Sequence, residues 1–521
     1  MIAGVAVPEW FNATEYFVDR NLAAGRGRST AILSGDRHLT YQDLAAGVNR
    51  TGNALRALGV EMENRVMLLL LDGPEFAFSF FGAIKIGAVP VPVNTLLKSH
   101  DYSYLLEDSR AKVLLVSREL FAAVEPVLSE CRHLRHVVVV GGDVPGGDSW
   151  QQFDDLIRAQ DATLEPAPTQ RDDVAFWLYT SGTTGRSRAA VHLQHDMVFC
   201  SELYCNGVLG MGPGDRTLSV AKLFFAYGLG NALYGPLAAG ASTVLFPGRP
   251  TPDAIFEQIN RFHPTLFFAV PTAYAQMLHA ADQTGAPVDM STVRVCVSAG
   301  EPLPASIYRR WLDRFGVEIL DGIGSTEVLH IFLTNRTGDV RPGSTGKPVS
   351  GYELQLVDDA GQPVRAGEIG NLMVRGDSTC AYYWNKHEAT KRAIQGEWIR
   401  TGDKYHVDED GYYWYEGRSD DMLKVGGIWV SPAEVESALV EHPAVLECAV
   451  VGHADADGMI KPRAFVVLKD GAAAGDGTVE ELKQFVKGRI ALYKYPRWIE
   501  FLDELPKTAT GKIQRYKLRQ K

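Results

Sequence analysis

Densely apolar runs of five or six residues alternate along this chain with longer stretches whose apolar residues recur at helical spacing. Residues 66–71 read as a buried strand, 76–87 as a helix and 89–93 as a second strand. Strand patterns return at 112–117 and 136–140, with a helix predicted over 119–131 between them, and again at 242–246, 265–270 and 293–298. Strands separated by helices predict βαβ units and a mainly parallel sheet. The pattern implies two doubly wound layers, one in each half.

From 352 the period changes. Residues 353–357 and 370–374 alternate apolar and polar positions, which predicts antiparallel strands and a small β-barrel. Residues 417–425 are charged and read as a linker into a new unit. Ser431-Pro432-Ala433-Glu434 supplies a helix start, with Ser as N-cap, Pro at the first position and Glu at the capping-box position. The helix should stop near Glu441, because Pro443 restricts His442. Strands over 447–451 and 463–468 follow, and Thr478-Val479-Glu480-Glu481 predicts a second capped helix. The fold class expected is α/β: a large domain of two doubly wound βαβ subdomains plus the barrel, then a small mobile α+β domain. The boundaries read are 1–418, a hinge at 419–422, and 423–521.

At 521 residues the chain has room for about three or four units. A net charge of −11 opposes nucleic acid, and anionic substrates would need local positive groups. The six cysteines form no CxxC pair, which argues against a zinc site or a disulfide framework and for a reducing, cytoplasmic setting. The opening MIAGVAVPEWF has no basic region, so it does not read as a secretory signal. The apolar stretch 66–93 is interrupted by Asp72, Glu75 and Lys85 and does not read as a membrane span.

The most informative segment is Tyr179-Thr180-Ser181-Gly182-Thr183-Thr184-Gly185-Arg186-Ser187-Arg188. Glycines let backbone N–H groups converge on phosphate oxygens, hydroxyls add donors, and the two arginines add charge. A Ser/Gly cluster alone would equally serve as a surface loop, and the GxxxxGK[ST] spacing of a Walker loop is missing. The segment resembles the signature loop of the adenylate-forming superfamily of acyl-CoA synthetases, adenylation domains and luciferases. Ser187, Arg188 and Ala189 stand where most members carry Pro, Lys and Gly, and Arg188 keeps the charge without the ammonium geometry.

Further segments resemble that family in its own order. Asp321-Gly322-Ile323-Gly324-Ser325-Thr326-Glu327 resembles the nucleotide and metal segment, which implies Thr326 on the α-phosphate and Glu327 on Mg²⁺. Ala299, Gly300 and Glu301 resemble the adenine-flanking turn. Asp403 matches the ribose carboxylate, with Arg418 reaching the same sugar and Asp420 as pivot. Pro506-Lys507-Thr508-Ala509-Thr510-Gly511-Lys512 resembles the terminal loop, which implies Lys512 as the catalytic lysine. Gly426 and Gly427 would approach the pantetheine of coenzyme A.

Residues 222–231 and 324–332 resemble those of benzoate-CoA and close aryl-CoA ligases. The match implies that Ala226, Tyr227, Gly324, His330 and Ile331 line an aryl ring, with His330 facing a para substituent or fixing the wall by hydrogen bonding. The resemblance implies an AMP-forming acid–thiol ligase acting on benzoate or a close analogue. A 4-hydroxybenzoate ligase and an enzyme loading a separate carrier protein stay open. It also implies Mg²⁺ with ATP, coenzyme A as co-substrate, a lysine acetyltransferase acting at Lys512, room for a homodimer, and no nucleic-acid or membrane partner.

Overall fold

The computed structural model describes residues 5–142, 150–180, 187–284, 288–419, 421–425, 428–455, 459–507 and 513–520. Two parallel sheets carry the large part of the chain. One runs in the order Val89–Pro92, Arg65–Leu69, Val113–Ser117, His136–Val140 and Gln151–Gln152. Apart from the short polar edge strand Gln151–Gln152, its strands are mostly apolar and buried, as parallel strands packed between helices must be. The expected helix over 119–131 is a short α-helix, Phe121–Val124, flanked by 3₁₀ turns. Pro126, which has no N–H to give, sits in the second of these turns.

The second sheet has nine strands. Its parallel centre comprises Thr30–Ser34, Ser242–Val244, Arg216–Ser219, Leu266–Ala269, Val295–Ser298 and Ile319–Gly324. The layers are therefore not divided strictly one per half. Thr30–Ser34, from the N-terminal end, pairs with Ser242–Val244, because its Ala31-Ile32-Leu33 run is buried there. The antiparallel unit after 352 is a five-stranded sheet, with Glu353–Val357, Gly370–Arg375, Trp398–Val407 and Tyr413–Arg418 as its longer strands.

Beyond 423 the apolar side chains gather into two clusters of their own, Leu423 to Ile499 and Ala449 to Leu518. The strands Val445–Ala454, Ile460–Leu468 and Trp498–Phe501 form one sheet against the helices Pro432–Val440 and Asp476–Lys487. Ser431 Oγ accepts the Glu434 N–H at 3.2 Å, as its sequence position implies. Thr478 is not a cap. Its helix starts at Asp476, and the Thr478 hydroxyl donates to the Ala473 carbonyl at 2.8 Å. Among the described residues no helix is long and apolar enough to cross a membrane.

Candidate active site

Parallel sheets present functional groups where strands end and loops diverge, because the loops are free to carry chemistry there. Here a cleft of about 1010 Å³ opens at the ends of the nine-stranded sheet and extends to the tail unit. Its walls include Thr180, Arg188, Gly300, Glu301, Asp321, Gly322, Ile323, Gly324, Thr326, Glu327, Asp403 and Arg418. Residues read from five separate segments thus converge on one space.

Thr180 and Arg188 are ladder partners in a hairpin of Val174–Thr180 with Arg188–Leu193, so the base of the Ser/Gly loop is closed at the cleft wall. The Ser187 carbonyl accepts the Tyr104 hydroxyl at 2.9 Å. Ser181, Gly182, Thr183, Thr184 and Gly185 lie outside the described residues, as do Asp420, Gly426, Gly427 and Lys512.

Ile319–Gly324 leads into the Ser325-Thr326-Glu327 turn. His192 supports that turn from behind, reaching the Thr326 carbonyl at 2.8 Å and Asp196 Oδ2 at 2.7 Å. Both side chains are fully buried. Tyr383 donates its hydroxyl to Glu327 Oε1 at 2.6 Å, and the Cys380 N–H donates to the Glu327 carbonyl at 2.7 Å. Burial, then the charge of Glu327, pushes the Tyr383 phenol far up. Nothing local in the sequence marks His192 or Tyr383 as partners of this turn, since these contacts span 134 and 56 residues.

Asp403 and Arg418 face each other across the ladder of Trp398–Val407 with Tyr413–Arg418, with 3.2 Å between Oδ1 and Nη1. Gly402 has φ +80°, and a Cβ there would stand 2.7 Å from Arg418 Nη2. Ala299 follows the strand Val295–Ser298 and is 3% exposed, and Gly300 borders the cleft. Glu301 Oε2 accepts the Thr272 hydroxyl at 2.8 Å. Burial pushes Asp321 well above the usual carboxylate range.

Ala226, Tyr227, His330 and Ile331 do not line this cleft; His330 and Ile331 lie directly behind its Gly322–Gly324 wall. The Tyr227 hydroxyl donates to the Val297 carbonyl at 3.1 Å, and its ring lies 6.2 Å from His330. His330 is 2% exposed and packs on Tyr204 at 5.1 Å and Tyr234 at 6.1 Å. Its Nε2 meets Asn231 Oδ1 at 3.1 Å, while Nδ1 has no hydrogen-bond partner among the described residues. Burial pulls the imidazole down to about 3, so it is neutral near pH 7. Gly230 makes the close packing possible: a Cβ there would fall 2.1 Å from the imidazole. Leu329, buried with φ +71°, sets the direction from which His330 enters, and a bulky residue in that region is a strained one.

Among the described residues no group of three His, Cys, Asp or Glu side chains could enclose a metal. The cleft instead offers the Glu327 carboxylate, and Mg²⁺ is characteristically held by one or two carboxylates plus substrate phosphates. The donor set fits a metal that arrives with a nucleotide.

A sequence-family model described as "AMP-binding enzyme" matches residues 19–384, and one described as "AMP-binding enzyme C-terminal domain" matches 434–512. The chain is 52% identical to the benzoate–CoA ligase of Thauera aromatica, over 99% of this chain and 97% of that one. It is 47% identical to the 4-hydroxybenzoate–CoA/benzoate–CoA ligase of Rhodopseudomonas palustris, covering 98% of this chain and 94% of the relative. Among solved structures, it superposes on an anthranilate CoA ligase in complex with anthranoyl-AMP with a TM-score of 0.96, at 47% identity and with 100% and 98% of the two chains covered.

Proposed function

From the premise that the chain belongs to the AMP-binding enzyme family, we propose that it is an ATP-dependent aryl-CoA ligase acting on benzoate or a close analogue. The observation that carries the reading is the single cleft shared by Thr180, Arg188, Thr326, Glu327, Asp403 and Arg418. Four separate segments have no structural reason to bring hydroxyls, guanidiniums and carboxylates to one space, whereas a nucleotide requires them together.

The reaction joins two anions. A carboxylate oxygen of the acid attacks the α-phosphorus of ATP, the bond to the β-phosphate oxygen breaks, and pyrophosphate leaves. Charge repulsion dominates that barrier, and preorganised positive groups lower it. Arg188, the loop 181–186 and Lys512 supply such charge, and Thr326 donates to the α-phosphate. Asp403 and Arg418 hold the ribose. Glu327 would hold Mg²⁺, which supplies further charge neutralisation when it is bound with the nucleotide. In the second step the thiol sulfur of coenzyme A attacks the acyl carbon, its proton is lost, and AMP leaves. Lys512 must then withdraw, so the unit after 423 turns about Asp420 and brings Gly426 and Gly427 toward the pantetheine.

A second reading concerns the ring. A neutral His330 whose Nε2–H is given to Asn231 leaves Nδ1 as an acceptor, which suits a hydroxyl on the substrate and so 4-hydroxybenzoate.

Incubation with ATP, Mg²⁺ and a panel of aryl acids, with and without coenzyme A, tests the proposal. Acid-dependent formation of AMP and an aryl-CoA thioester is expected. ADP as product, or an adenylate that never reacts with the thiol, would defeat it.

A further inference from the structure

The chain enters and leaves 508–512 through two legs that lie side by side. Lys507 and Ile513 form an antiparallel bridge, and the Gln514 N–H donates to the Pro506 carbonyl at 2.7 Å. Each leg is tied to a carboxylate on the body of the tail unit. Lys507 Nζ lies 2.6 Å from Glu447 Oε2 and 2.9 Å from Oε1. Arg515 grips Glu436 with Nη2 at 2.8 and 2.9 Å from the two carboxylate oxygens.

The two acids are themselves fixed. Glu436 sits on the helix Pro432–Val440, and its Oε1 also accepts the Val450 N–H at 2.7 Å. Val450 lies on the same strand, Val445–Ala454, as Glu447. The four side chains are 12–24% exposed, and the grip on Arg515 is bidentate, the geometry in which an ion pair fixes position rather than merely adding charge. Glu436, Glu447, Ile513, Gln514 and Arg515 all border the nucleotide cleft.

We propose that Glu436 and Glu447 are positioning residues that clamp the two legs of the terminal loop and so aim Lys512 at the acid and the α-phosphate. The inference rests on the reading that Lys512 serves adenylate formation. Both partners of each pair belong to the tail unit, so the clamp turns with that unit and does not select between its orientations. Its loss therefore falls on the half-reaction that needs the lysine and not on the one from which the lysine has departed.

The full-length enzyme is assayed separately for acid-dependent pyrophosphate release and for thioester formation from supplied acyl-adenylate and coenzyme A. Glu436→Gln should lower kcat of the first by roughly 10- to 100-fold, the range expected when a reacting group is misplaced by about an ångström. KM for ATP and acid, and the second half-reaction, should change by less than about twofold. Glu447→Gln should act in the same direction. Arg515→Lys, which keeps the charge and loses the fork, covers the case in which Glu436→Gln folds poorly. Lys512→Ala is the reference. If it loses adenylation while the clamp variants keep it, the clamp is overturned. If Lys512→Ala itself keeps adenylation, the reading beneath it fails. Equal loss of both half-reactions in the clamp variants would reveal a merely structural role and also overturn the proposal.

Discussion

His330 shows how one side chain can be named in advance while its task is left double. From the sequence, His330 either faces a para substituent or fixes the wall by a hydrogen bond. The structure supplies the hydrogen bond, to Asn231, and still leaves Nδ1 unpartnered in a closed aromatic box. His330→Phe keeps the ring between Tyr204 and Tyr234 and removes both polar functions. Asn231 then loses a buried partner, which should cost about 1–3 kcal/mol in urea-denaturation stability. If Nδ1 serves a ring hydroxyl, kcat/KM for 4-hydroxybenzoate should fall at least about tenfold relative to benzoate, because a site built to pair a hydroxyl discriminates sharply once the pairing is gone. An unchanged ratio would confine His330 to the wall.

Segments with strong local signals were legible. The Ser431 cap and the apolar strands expected at 66–71 and 293–298 announce themselves through residue type and period; the cap forms, and the strands run Arg65–Leu69 and Val295–Ser298. Thr478 misled because its hydroxyl donates to the Ala473 carbonyl and so is satisfied without capping the helix. Contacts across elements were not legible at all, and the pair Asp72–Lys222 is a case with consequences. Asp72 lies three residues beyond the strand Arg65–Leu69 of the first sheet. Its Oδ1 accepts the Leu223 N–H at 3.1 Å, and Lys222 Nζ lies 3.9 Å from Oδ2, just ahead of the segment that carries Ala226 and Tyr227. Burial raises Asp72 to about 6, against the pull of Lys222. A raised carboxylate pKa means that the folded chain binds the proton more tightly than the unfolded one. Native stability from this group therefore falls as pH rises from about 4 through 6. Lys222→Met removes the opposing cation and should destabilise by about 3 kcal/mol above pH 7, where Asp72 is charged and newly uncompensated. Below pH 5, where Asp72 is protonated, the loss should be much smaller. Urea midpoints of the variant and its parent at pH 5 and pH 8 measure the difference, and a pH-independent loss would deny the coupling.

For the whole molecule, the apolar clusters after 423 draw on residues 423–518, and the cores of the larger part draw almost entirely on residues before 408. The charge of 417–425 leads one to expect a linker there, but the seam is not legible in the sequence, because it joins side chains far apart along the chain, such as Ala275, Ile307, Val440 and Leu446. That seam holds a cavity of about 310 Å³, with His279 facing Asp470 at 3.7 Å and Lys469 near Arg310. A loosely filled junction of mixed polar and apolar lining couples two bodies weakly. Denaturation by urea should therefore show two transitions. The slope of each should scale with the surface it exposes, so the smaller unit, of about 100 residues, should give roughly a quarter of the m-value of the larger. A non-hydrolysable acyl-adenylate analogue bound mainly by the large part should raise that part's midpoint. At 100 times its dissociation constant the gain is about 2.7 kcal/mol, with the smaller transition moved far less. Tryptophan fluorescence from the large part and a label on the tail unit would separate the two. A single coincident transition, shifted as one by the analogue, would mean that the tail is welded to the large part, and a lysine carried on a welded tail could not leave between half-reactions.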